Sequence, residues 1–221
     1  MRHFLTLALV VSVFCTAFSQ DRQAEKAAQE ALAEQVAFTL KMDGLIVEIP
    51  TNARKIAAMK EVLETGDLTA QNRSRLGVRL ATTIEETEEQ AALLVKIFGA
   101  LYDLGPLYFM PDTALAILQK EQPSGYFYDA ALKIDPSITL PDDFVLLRMG
   151  YADAATGSGA DAMLLTNRDL APLQSPFPSA ITFNNVGYLF NKLLAPDIAE
   201  RKRLETAVNS LVRKLRAAIG E

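Results

Sequence analysis

Residues 144–167 read FVLLRMGYADAATGSGADAMLLTN. Two apolar runs, Phe144–Tyr151 and Ala162–Asn167, flank ten residues of small and turn-forming type. Apolar runs of this length bounded by turn residues predict two strands, and the glycines between them tolerate the positive φ that a connection needs. Three chemical readings compete with a plain hairpin. A phosphate-binding loop needs a lysine and a helix start after its glycines, whereas Gly159 is followed by Ala160, Asp161 and a strand-like run. A nucleophile elbow needs G-x-S-x-G and a histidine partner, but Gly157-Ser158-Gly159 has the wrong spacing. A calcium loop needs closely spaced acids and a closing glutamate, but Asp153 and Asp161 are too far apart. The stretch is therefore read as a strand connection. Asp153, Ser158 and Asp161 are kept as candidate binding residues, because loops on a rigid scaffold often carry ligand contacts.

The N-terminus has the three parts of a secretory signal: Arg2, the apolar segment Phe4–Phe14, and Ala17-Phe18-Ser19 before Gln20. Cleavage is expected between Ser19 and Gln20, giving an exported protein, periplasmic or extracellular. The apolar segment is shorter than the roughly 20 residues of a spanning helix, and no later segment is apolar enough to span either. Removing 19 of 221 residues leaves 202, enough for one good core. The signal takes one arginine and no acid, so the net charge moves from −5 to −6. That balance opposes a nucleic-acid binder, which clusters basic residues to neutralise phosphates.

The sole histidine, His3, and the sole cysteine, Cys15, both lie in the signal, and the chain has no tryptophan. A mature chain without imidazole or thiol cannot perform Ser-His-Asp or Cys-His catalysis. Nor can it build zinc sites from His and Cys, use the usual haem ligands, or form disulfides. Carboxylate chemistry, Ser/Lys chemistry and oxygen-ligated metals remain open. No cofactor and no metal is expected.

Working outward, residues 20–43 read as an amphipathic helix, with Ala24, Ala28, Leu32, Val36 and Leu40 at i, i+4 spacing. Gly44–Ile49 is a short buried strand ending at Pro50. Thr51-Asn52 offers a cap for a helix over Ala53–Thr65, and Asp67–Asp103 is mostly helical. Its acidic run Glu85, Glu86, Glu88 and Glu89 is a solvated face, since consecutive helix residues point apart. Leu107–Met110 is a second strand, followed by a helix over Thr113–Lys120. Asp112, at that strand end, stands where α/β folds place functional acids, and it equally suits capping of the helix. Residues 122–142 are irregular, with a small strand expected at Tyr126–Tyr128. Ala180–Phe183 reads as an edge strand, and Asn185–Ala195 and Pro196–Ile219 as closing helices.

This order predicts an α/β fold: residues 44–221 as a single domain, a mixed sheet covered by helices on both faces, with helical N- and C-terminal segments. The order strand-helix-strand-helix-strand-strand-helix resembles the thioredoxin fold, without the C-x-x-C motif, so no redox activity follows. The stretches LIVEIPTNARKIAAM (Leu45–Met59), LYFMPD (Leu107–Asp112) and PFP (Pro176–Pro178) also resemble a group of uncharacterised exported bacterial envelope proteins. That resemblance implies no catalytic residue. The expected role is a non-enzymatic envelope protein that binds another protein or an envelope component. A small-ligand binder using the 122–142 loop is one alternative. A carboxylate- or Ser/Lys-based hydrolase or lyase is the other. N-terminal sequencing of protein purified from its own cells should begin at Gln20; an intact Met1 would refute the signal.

Overall fold

The computed structural model describes residue 23, residues 25–153 and residues 157–221. The expected signal, its expected cleavage site at Ser19 and Gln20, and residues 154–156 of the glycine loop lie outside the described residues. In chain order the elements are α1 (residues 25–42), β1 (Leu45–Ile49), α2 (Ala53–Thr65), α3 (Ala70–Leu101) and β2 (Leu107–Pro111). A 3-10 turn (Asp112–Ala114) and α4 (Leu115–Leu118) follow. The chain ends with β3 (Val145–Asp153), β4 (Ser158–Thr166), β5 (Ala180–Thr182), α5 (Asn185–Leu194) and α6 (Pro196–Ile219). The five strands form one sheet in the order β2-β1-β3-β4-β5. Strands β2, β1 and β3 run parallel, while β4 and β5 are antiparallel to their neighbours. The fold is mixed α/β.

β1 lies at the centre of the parallel part, and all five of its residues are buried. A strand covered on both faces must be apolar at every position, which is what its continuous run supplies. Leu45, Val47 and Ile49 face one core, with Val145, Leu147, Met163 and Leu165 from neighbouring strands. That face is covered by Leu94, Ile97 and Phe98 of α3, by Leu204, Val208, Leu211 and Leu215 of α6, and by Leu40 at the end of α1. Ile46 faces the other way with Met110 and Leu146.

On that second face α4 is only one turn long, shorter than the helix expected over Thr113–Lys120. The irregular segment between α4 and β3 supplies the rest of the cover, through Tyr126, Phe127 and Phe144. The Tyr126 and Phe127 rings lie 4.5 Å apart, and the Tyr126 hydroxyl donates to the Gln122 carbonyl at 2.9 Å. The strand expected at Tyr126–Tyr128 is reduced to isolated bridges, Tyr128 pairing with Phe109 and with Ile134. These three aromatic residues are core, while more than half of the segment is exposed.

The connection from β1 to β2 runs over the first face, and that from β2 to β3 over the second. Since β2 and β3 lie on opposite sides of β1, direction and face reverse together, and both crossovers keep one hand.

The turns leading into β1 and β2 touch backbone to backbone. Gly44 has φ +106°, and a Cβ there would lie 2.3 Å from the Pro106 carbonyl oxygen. Gly44→Ala should therefore cost about 2 kcal/mol or more in urea melts, from left-handed backbone strain plus the clash. Gly77, in the interior of α3 with open space around it, is the control. Gly77→Ala should stabilise by about 0.5–1 kcal/mol. Equal effects at both sites would contradict the packing of the two turns.

Candidate functional site at the strand ends

The C-terminal ends of β1 and β2, beside Arg148 in the first half of β3, open into a cleft of about 680 Å³. It is lined by Glu48, Asn52, Arg54, Lys55, Asp112, Leu115 and Arg148, among others. Its place follows from topology. The connection that leaves β1 for β2 runs over one face and the connection that leaves β2 for β3 over the other, so the ground between them lies at the carboxyl ends of β1 and β2, where open α/β sheets hold ligands.

Glu48 shares the second face with Ile46 because side chains alternate along a strand. It is 7 % exposed, so its carboxylate needs a partner. Arg148, on the neighbouring β3, donates from Nε to Glu48 Oε2 at 3.0 Å. Burial pushes the Glu48 carboxyl above its ordinary value; Arg148 pulls it down, and the nearby Asp112 adds to the rise. Asp112 begins the 3-10 turn after β2, and its Oδ1 accepts a hydrogen bond from the Thr51 hydroxyl. The acid read as a helix cap thus ties the end of β2 to the end of β1.

The Thr51-Asn52 cap is also remade. Asn52 is left-handed, with φ 50°, and its side chain does not cap α2. It donates instead from Nδ2 to Thr87 Oγ1 on α3 at 2.9 Å, while Thr51 Oγ1 accepts from the Ala53 N–H at 3.3 Å. The turn is thereby anchored to both β2 and α3. It carries Arg54 and Lys55 into the cleft wall, both exposed.

The other candidates lie elsewhere. Asp153 pairs with Ser158 and Tyr151 with Asp161 across the β3–β4 hairpin, with a register shift between Tyr151 and Asp153. Both strands are longer than the apolar runs, so the ribbon continues past the end of β1. Asp153 lies five residues beyond Arg148, about 16 Å along the strand. Asp161 Oδ2 accepts from Arg203 Nη2 at 2.9 Å. That arginine sits 4.5 Å from the Phe183 ring and 5.0 Å from the Tyr188 ring, joining β4 to α5 and α6. Of the four candidates only Asp112 lines the cleft.

Glu48 and Arg148 escaped the sequence reading. The signal was present: each is the one charged residue inside an apolar strand run, and opposite charges there suggest a pair.

A second groove, of about 430 Å³, lies between α1 and the 167–177 segment. Its Asp143 is already engaged by the Thr39 hydroxyl at 2.8 Å. Among the described residues no three His, Cys, Asp or Glu side chains gather as a metal site. No helix among them is long and apolar enough to cross a membrane. Comparison of the chain with protein-family models, with curated proteins and with solved structures found no match.

The raised Glu48 carboxyl has a thermodynamic consequence. A folded state that holds a proton more tightly than the unfolded chain loses stability as pH rises between the two values. The stability of the wild type relative to Glu48→Gln should therefore fall as pH rises from 4.5 through the range just above it. Urea melts at several pH values test this. A difference that grows with pH would mean that Arg148 outweighs burial.

Proposed function

We propose that the protein is an exported, non-enzymatic binding protein, periplasmic or extracellular, whose ligand seats in the cleft at the ends of β1 and β2, beside Arg148 of β3. The observation that carries this reading is the cleft itself. It is the larger of the two described above, it lies at the carboxyl ends of two parallel strands, and its wall stands on the Glu48–Arg148 pair. The expectation of export rests on Arg2, the apolar run and Ala17-Phe18-Ser19.

Binding is favoured over catalysis by the state of the two carboxylates. Glu48 is buried and engaged by Arg148, and Asp112 by Thr51. A Ser/Lys mechanism is disfavoured too, since Lys55 lines the cleft without a serine beside it. Ligand binding through residues 122–142 is disfavoured because Tyr126 and Phe127 are buried against the sheet.

An NMR fragment screen on the isotopically labelled mature chain tests the reading. Shifted amides should cluster at residues 48, 52–55, 112–119 and 148, and Ala116→Trp, which fills the cleft, should abolish the shifts. Shifts confined to residues 122–142, or to the groove under α1, would overturn it.

A further inference from the structure

The class of ligand can be read from which polar groups at the cleft remain unused. Each carboxylate already has one oxygen in a hydrogen bond: Glu48 Oε2, in a buried side chain, accepts from Arg148, and Asp112 Oδ1 accepts from Thr51. Most of its cationic donors are not so engaged. Arg148 spends Nε on Glu48, and its two Nη groups make no hydrogen bond among the described residues. Arg54 and Lys55 form no ion pair among the described residues, and both reach the same cleft from α2. Three cations face two carboxylates there, so the local balance is positive in a chain of net charge −5.

Resting on the cleft as the ligand site, we propose that it binds a small organic molecule through an oxyanion, a carboxylate or a phosphate, held by Arg148, Arg54 and Lys55. A guanidinium offers paired N–H groups whose spacing matches two oxygens of either anion, and a lysine adds a point charge. Glu48 positions Arg148: the hydrogen bond at Nε holds the guanidinium plane, so the Nη groups are presented in one orientation. The cleft is larger than a bare phosphate or acetate requires, and Leu115 and Ala116 line it too. The oxyanion is therefore one end of a ligand whose other part is apolar.

The test is an NMR titration of the full mature chain with two probes, inorganic phosphate and succinate, each up to about 10 mM, which spans the ~1 mM range of weak fragments. One or both should give saturable shifts at residues 48, 52–55, 112–116 and 148. The double variant R54S/K55S changes only exposed side chains and should keep its melting temperature while binding at least about tenfold more weakly. R148K keeps the charge beside Glu48 but loses the fork, and it should weaken binding as well. Tighter binding of phosphate would assign a phosphate ester, and tighter binding of succinate an organic acid. Absence of saturable shifts with both probes, or equal affinity in R54S/K55S, overturns the proposal. If neutral fragments still bind the cleft, only the oxyanion assignment falls; if they do not, the binding reading falls with it.

Discussion

Everything in this fold is arranged around a strand that has no exposed side. β1 is paired along both edges and covered on both faces. Parallel neighbours on both sides require crossovers, and a single strand cannot have both crossovers on one face without a change of hand. So the chain covers the first face with α3 on its way to β2, and the second with α4 and the irregular segment on its way to β3. The open ground at the strand ends is what remains. Burial also decides where charge can sit. Glu48 is one residue from the end of β1, within reach of an arginine that keeps part of its side chain in water. Removing Arg148 alone would strand a buried carboxylate, at a cost of about 3 kcal/mol.

The two faces are covered by different means. Long helices supply the first, with aliphatic side chains at helical spacing meeting the sheet. The second has one helical turn and a run of bridges and turns. Such a segment can be buried only if its backbone groups find partners. Here the Tyr128 N–H donates to the Phe109 carbonyl at 2.8 Å, and the Asp135 N–H to the Phe127 carbonyl at 2.9 Å. The Leu140 N–H donates to the Pro123 carbonyl at 2.7 Å. This irregular stretch thus covers the sheet with three aromatic residues while much of its remaining surface faces solvent.

The hairpin shows the converse. Its glycines suggest chemistry, but Gly157 and Gly159 have φ of +64° and +96°, the conformations that turn residues adopt. Asp161 serves the join between sheet and C-terminal helices, through Arg203. Two stretches singled out in the sequence, Leu45–Met59 and Leu107–Asp112, meet at the cleft because β1 and β2 lie side by side. In the sequence they are separated by the whole of α3.

The α/β class, the central buried strand, the hairpin and the closing helices were legible in the chain, because periodicity and turn chemistry are local. Helix α1 was legible as well, but its burial was not. The stripe from Ala24 to Leu40 is uniform in sequence, yet Leu40 is fully buried while Leu32 remains 46 % exposed. Asp112 was legible as a residue at a strand end, but not its bond to Thr51, whose partner lies 61 residues away. The Glu48–Arg148 pair spans 100 residues. No local pattern encodes which strand will lie beside β1. Local pattern was enough to mark which segments are buried, and the chain's single histidine and single cysteine already narrow its chemistry. Which charges meet follows from the folded sheet, because strand order brings side chains from distant segments to one end of it.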